Sequence, residues 1–316
     1  MVNTRPIKKI KIGFIGFGNI GKKRFKSLQV LKHFDTSISY IVDKKFKKKK
    51  NKKKFNSWKK ISQIKTDLII ISLPTNEIEK IPLYIIKNTK YLLIEKPISL
   101  NISFIERLQK FCFKNKILLK TGYNLRFDDG LIKVKKLFDT NILGKLYYIK
   151  INYSNGASKT NNNRIGSLYD IGCHSINLLQ WLLNTSSFSK YLKIIQKNES
   201  KKKKDDNGFV LMNFGRVAIQ LQFGFCSWKN TFELELVGRL GYIKVNSLPK
   251  WNNQTVTFAK RKFPSGIPRM KVWNYTKDNS FINEMKFMLN TIKSNKFYKK
   301  INNEGYQTLN CLKKIS

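Results

Sequence analysis

Residues 10–25 read IKIGFIGFGNIGKKRF, and this stretch decides the fold. Ile10–Ile15 is strongly apolar and stops at Gly16, the pattern of a strand buried in a parallel sheet. Gly16, Gly18 and Gly21 form a complete G-x-G-x-x-G, with Asn19 and Ile20 inside it. Gly16 suits a tight turn, Gly18 lets a pyrophosphate approach the backbone, and Gly21 lets a helix pack on the strand. That helix is expected over Lys22–Lys32, and its N-terminal amides would hold the phosphates. The motif alone is weak; its surroundings give it weight.

A second strand, Ser37–Val42, ends at Asp43, at the distance where an acid takes the ribose hydroxyls of NAD. A carboxylate there repels the 2′-phosphate of NADP, so NAD is expected over NADP. Lys44 and Lys45 pull the other way, because a basic pair can bind that phosphate. Residues 66–73 (TDLIIISL) read as another buried strand, followed by Pro74-Thr75-Asn76 and a helix over residues 77–88. Tyr91–Ile94 is a strand that ends in Glu95-Lys96-Pro97; a helix over 102–112 and a strand over 117–122 follow. Ligands of open parallel sheets bind at the carboxyl ends of the strands. Gly16–Gly21, Asp43, Pro74–Asn76 and Glu95–Pro97 all fall at such ends. Lys96 in that position reads either as a fixed charge over the nicotinamide or as a surface lysine.

From Lys145 the period changes. After a helix over 128–138, strand-like stretches run at 146–153, 191–196, 208–214, 217–225, 231–237, 242–245 and 255–260. Strands in succession without helices between them predict an antiparallel sheet. An amphipathic helix closes this part at 281–294. The chain therefore reads as α/β, a parallel sheet followed by an α+β domain with an antiparallel sheet. The expected domains are 1–122 and 123–316, with a C-terminal helix free to return to the first.

Between the first strand of the second half and the next lies Gly166–Leu183, GSLYDIGCHSINLLQWLL. On a helix, Asp170 and His174 share one face, a turn apart. Two readings are open. A neutral imidazole beside a carboxylate suits a general base. Equally, Asp170 can cap a helix on which His174 is simply packed.

Composition excludes some classes. Hydrophobic residues are 41% of the 316, enough for a sizeable core, and no apolar run reaches membrane-spanning length. The basic start runs straight into the first strand, so it reads as fold and not as a signal peptide. Four scattered cysteines without a CxxC point to no metal and to a reduced, cytoplasmic setting. The net charge is +44, yet only nine basic residues are Arg against 54 Lys. Base-edge recognition leans on the Arg fork, so specific nucleic-acid binding is not expected. The run at 44–54, KKFKKKKNKKK, reads as a solvated loop.

GFIGFGNIG, EKPIS at 95–99, GYNLRFDD at 122–129 and GSLYDIGCH at 166–174, taken in this order, resemble the Gfo/Idh/MocA oxidoreductases. FELELVGRLGYIKVN at 232–246 and NNEGYQTLNCL at 302–312 are similar to that family's sheet segment and closing helix. The resemblance implies a Rossmann, doubly wound parallel sheet followed by an α+β domain with a large open antiparallel sheet, and NAD(P)-dependent oxidation or reduction of a sugar, cyclitol or sugar nucleotide. It implies that Lys96, Asp170 and His174 are catalytic, that the Lys96–Pro97 bond is cis, and that Tyr123, Asn124 and Arg126 lie near substrate. It also implies a dimer or tetramer paired through the outer face of the large sheet. Arg164, in the Asn-rich loop 154–165, is a further candidate substrate contact. Asn177 stands where the family often has Asp, so it marks a difference in the substrate hydroxyl contacts. Other classes that fit a nucleotide fold are a redox-responsive regulator without turnover and a basic anion-binding protein.

Overall fold

The computed structural model describes residues 9–46, 53–156, 165–199, 204–264, 266–294 and 303–316. Arg164 and most of the loop 154–165 lie outside these, as does most of the lysine run 44–54. The described residues divide into two compact units. One draws on Met1–Tyr123 and Phe281–Tyr306, the other on Asn124–Ser280 and Gln307–Ser316. Each unit is therefore built from two separate pieces of chain.

The first unit is a parallel six-stranded sheet in the order β3-β2-β1-β4-β5-β6. Its strands are β1 (Ile10–Ile15), β2 (Thr36–Val42), β3 (Lys54–Phe55), β4 (Leu68–Ile71), β5 (Tyr91–Ile94) and β6 (Leu118–Thr121). β4, β5 and β6 are buried at every residue; for β4 and β5 that is what apolar runs without alternation require, whereas β6 also buries Lys120 and Thr121. Helices α1 (Asn19–Val30) and α3 (Ile102–Lys114) follow β1 and β5, and Asn101 caps α3 by accepting from the Ser103 and Phe104 amides. The single helix expected over 77–88 is broken. α2 covers only Thr75–Ile78, and a separate 3₁₀ turn covers Leu83–Ile86. Pro82 is the cause: it has no amide hydrogen to donate and disfavours a helical Ile81.

α6 (Ser280–Lys293) returns to this unit from Phe281 onward. Its Met285, Met288 and Leu289 are fully buried in one core with Ile12, Phe14, Leu68, Ile70 and Leu93 of the sheet. A buried chain of charges runs alongside that core. Arg24 of α1, with no exposed surface, donates through Nε to Glu95 at 2.5 Å and through Nη1 to Glu284 of α6 at 2.8 Å. Lys120 of β6 lies 3.8 Å from Glu284 and 2.8 Å from Glu304. Gly122 is required beside it, since a Cβ there would meet Arg24 Nη2 at 2.4 Å.

The second unit is an eight-stranded sheet in the order β14-β13-β12-β11-β7-β10-β9-β8. The strands are β7 (Leu146–Ser154), β8 (Ser189–Gln196), β9 (Asn207–Phe214), β10 (Val217–Gly224), β11 (Thr231–Gly238), β12 (Gly241–Asn246), β13 (Gln254–Lys260) and β14 (Met270–Tyr275). All neighbours are antiparallel except β7 and β10. β14 was not read from the sequence, because as an edge strand it carries no clean alternation and is largely exposed. β9, β11 and β12 alternate buried and accessible residues, so one face of the sheet is core and the other is open. α4 (Asp129–Asp139), capped by Asp128, and α5 (Cys173–Leu182) belong to this unit. α7 (Glu304–Ile315) contributes its first residues to one unit and the remainder to the other. Among the described residues no helix is long and apolar enough to cross a membrane.

Deleting one carboxylate from the buried charge chain strands a cation in a dry interior. Glu284→Ala is expected to lower the unfolding free energy by about 3–5 kcal/mol, read from urea melts. A loss below about 1 kcal/mol would show that Arg24 does not depend on it.

Candidate nucleotide and proton-transfer sites

In the first unit, the glycine loop has the conformation its sequence demands. Gly16 sits at φ +88°, and a Cβ there would lie 2.4 Å from the Ser72 carbonyl oxygen. A Cβ on Gly21 would lie 2.4 Å from the Gly16 carbonyl, so α1 packs directly on the turn. Gly18 differs: a Cβ would meet nothing within 4 Å. No internal packing requires glycine there; the open space on that side is what a close ligand would need. Gly18 also precedes Asn19 and Ile20 at the start of α1 and has no side chain to cap them. The first turn of α1 contains no acidic residue, so an anion meets no repulsion from it.

Asp43 closes this loop. Its Oδ2 accepts the Phe17 amide at 2.7 Å and its Oδ1 accepts the Lys45 amide at 2.9 Å. Each oxygen keeps a further lone pair, enough to accept from ribose hydroxyls. Pro74–Asn76, at the start of α2, and the Glu95–Pro97 turn are joined: the Thr75 hydroxyl donates to the Pro97 carbonyl at 3.1 Å. The Lys96–Pro97 peptide bond is cis, as the resemblance implied. Glu95 is anchored from behind by Arg24, and Lys96 next to it is half-buried. Uncapped amides, an open Gly18 and an acid at the end of β2 together fit a dinucleotide.

In the second unit, Gly166–Leu183 begins with one π-helical turn, Leu168–Gly172, and continues as α5. The wider turn alters the regular helical spacing that the sequence suggested between Asp170 and His174; such turns recur at functional sites. Asp170 is half-buried within it, and His174 is buried in the first turn of α5. The helix start is capped from a distance. Asp205 Oδ2 accepts both the Ser167 hydroxyl and the Leu168 amide at 2.7 Å. Gly166, at φ +85°, leaves no room for a Cβ, which would lie 2.0 Å from Asp205 Oδ1. Asp205 thus does the capping that one reading had given to Asp170. Nothing local pointed to it, because it lies 38 residues from Ser167 just after a lysine run.

The His174 ring lies 5.8 Å from that of Tyr153. Tyr153 in turn contacts Phe232 and Trp251 at 5.6 and 5.7 Å, and its hydroxyl accepts from Lys250 Nζ at 3.0 Å. The imidazole therefore has an aromatic wall with a cation behind it. Asn177 is almost fully buried, and its side chain is engaged at both ends. Its Oδ1 accepts from Arg126 Nε at 2.6 Å and its Nδ2 donates to Thr308 at 2.9 Å. Asn124 donates to the Ser280 hydroxyl at 2.9 Å. Tyr123, buried, is the last residue of the first piece of the first unit.

Comparison with known proteins follows the same division. A family model described as an oxidoreductase family with an NAD-binding Rossmann fold matches residues 10–123. The model of the GFO/IDH/MocA C-terminal domain matches residues 131–244. A myo-inositol 2-dehydrogenase of Thermotoga maritima is 26% identical over 151 residues, 45% of this chain and 44% of that one. The chain spans about half the length of the first curated relatives it matches, from 44% to 55%. Among solved structures, levoglucosan dehydrogenase in complex with NADH and levoglucosan has a TM-score of 0.82 at 15% identity, covering 98% of this chain and 96% of that one. A 3-ketoreductase from Actinomadura kijaniata, solved with TDP-benzene and NADP, has a TM-score of 0.80 at 16% identity, covering 98% and 97%. At such identities these two likenesses speak to fold alone.

The glycines separate structure from binding. Gly18→Val is expected to leave the melting temperature unchanged while NADH binding, followed by fluorescence, is lost. Gly21→Val meets backbone and is expected to destabilise the fold itself. Equal destabilisation by both would remove the argument that Gly18 is reserved for a ligand.

Proposed function

The chain belongs to the Gfo/Idh/MocA family of oxidoreductases, and from this we propose that it moves a hydride between a nicotinamide dinucleotide and a secondary carbinol carbon of a sugar or cyclitol. The observation that carries the reading is the row of strand ends in the first unit. An open Gly18, the fixed carboxylate of Asp43 and the Lys96 turn lie at the carboxyl ends of β1, β2 and β5 of one parallel sheet. NAD is the proposed dinucleotide. The substrate class is supported by relatives named for inositol and for glucose 6-phosphate.

The bound dinucleotide supplies the hydride acceptor and, in reverse, the donor. The chain's residues handle the proton and the charge. His174, as general base, would take the hydroxyl proton of the carbinol while its carbon is oxidised to a carbonyl. Lys96 stabilises the oxygen by its charge as it becomes anionic. Asp170, in the π-helical turn before α5, is the proposed orienting group for the imidazole. Arg126 is held by Asn177, so we assign Asn177 the positioning of Arg126 in place of a direct substrate contact. Tyr123, Asn124 and Arg126 remain the proposed substrate neighbours.

A second copy of the chain is the proposed partner, docked on the open face of the large sheet. Leu192 and Ile194 on β8 are 69% and 63% exposed, and Leu211 on β9 is 51% exposed. In the middle strands, Lys150 stands opposite Glu235, which stands opposite Lys244. An apolar margin beside alternating charges suits pairing with itself. Light scattering is expected to give a multiple of the chain mass, and Leu211→Asp to reduce it; a monomeric wild type would overturn this.

His174→Ala and Lys96→Ala are each expected to lower kcat by roughly 10²–10⁴ with NADH affinity kept within about twofold. The check is initial rates on inositols and hexoses beside NADH titration of each variant. Undiminished turnover in either variant would end the assignment.

A further inference from the structure

We propose that Glu77 sets the preference between the two dinucleotides, by holding the Lys44 ammonium away from the ribose position that Asp43 marks. The inference rests on the nucleotide reading of the first unit and adds a residue outside the glycine and lysine motifs.

Asp43, Lys44 and Lys45 follow β2 in sequence, and the Asp43 and Lys44 side chains have different partners. The Asp43 carboxylate is fixed on the Phe17 and Lys45 amides, at the glycine loop. Lys44 turns elsewhere: its Nζ donates to Glu77 Oε2 at 2.5 Å. Glu77 sits in α2, after β4, and its other oxygen accepts from Lys80 Nζ at 2.6 Å. The Glu77 side chain is 18% exposed, against 70% for Lys44 and 59% for Lys80. Two lysine stems therefore cover one carboxylate, and both of its oxygens carry charge-assisted hydrogen bonds. Those hydrogen bonds from Lys44 and Lys80 depress the Glu77 carboxyl to a pKa of about 2, so it is ionised wherever the protein works.

The consequence differs for the two dinucleotides. A ribose 2′-hydroxyl needs only an acceptor, which Asp43 supplies. A 2′-phosphate brings roughly two negative charges into a region that already holds Asp43 and Glu77. The nearest basic side chain in sequence, Lys44, is the natural phosphate partner, but the phosphate must take it from Glu77. Glu77 thus opposes the phosphate twice, by its own charge and by its hold on Lys44. In the sequence Asp43 favours NAD, and Lys44 and Lys45 weaken that preference. Glu77 decides by neutralising the first lysine.

The test uses the full chain and equilibrium binding, with no substrate. NADH and NADPH are titrated separately and followed by energy transfer from tryptophan. Glu77→Gln is expected to tighten NADPH about 5-fold, the scale of one released ion pair, with NADH within about 2-fold. Adding Lys44→Ala to Glu77→Gln is expected to abolish that gain. Unchanged NADPH affinity in Glu77→Gln, or a gain that survives Lys44→Ala, overturns the proposal while leaving the nucleotide site standing. Failure of the wild type to bind either dinucleotide overturns the nucleotide reading together with it.

Discussion

One buried guanidinium sets the geometry of the first unit. Arg24 lies on the helix that opens from the glycine loop, and it binds Glu95 beside Lys96 and Glu284 on a helix 260 residues away in sequence. A charge this deep has lost its water, and only well-made hydrogen bonds compensate for that loss. The guanidinium can be satisfied in few arrangements. The helix that would face a pyrophosphate, the turn that carries Lys96 and the returning helix α6 must all be in register for it to be ionised and bonded. Gly122 shows how little freedom is left, since even a methyl group beside Arg24 has no place. A pair of this kind adds little net stability over an apolar core, but it penalises misplacement heavily.

The sheet was legible in the sequence because its signal is local. Runs such as LIII and YLLI are buried on both faces, and their composition states this without help from elsewhere. The glycine motif was legible for the same reason: a turn, a close approach and a helix contact are all demands on the backbone within six residues. The broken helix at 77–88 had its signal too, in Pro82, which outweighs the helical pattern on either side. What was not legible is polar and long-range. Asp205 caps the His174 helix across 38 residues, and Lys120 meets Glu304 across 184. Single carboxylates and lysines have no periodicity, so nothing in a window of sequence distinguishes these from their solvated neighbours.

Asn177 illustrates the same limit from the other side. Read along the chain, it is a departure from the family's pattern near the proposed catalytic pair, and therefore a candidate for substrate contact. In the folded unit its amide is one link of a buried chain, from Arg126 through Asn177 and Thr308 to Gln180. An amide can donate and accept at once, which an ionised carboxylate at that position cannot do. The substitution changes what holds Arg126, and any effect on substrate passes through that guanidinium.

The charge imbalance takes on a structural meaning when the acids are followed in place of the lysines. There are only 19 acidic residues among 316. Asp43 and Asp205 each bind backbone amides at a turn or helix start; Glu95, Glu284 and Glu304 neutralise buried cations; Glu77 holds two lysines. These are posts where a lysine cannot substitute, because an ammonium accepts no hydrogen bond. A composition drifting toward lysine can replace acids on solvated surface at little cost to the fold, but not at such posts. These six acids therefore mark places where the structure needs negative charge. Asp43 and Glu95 lie at strand ends of the proposed nucleotide site, and Glu77 lies in α2, which follows β4.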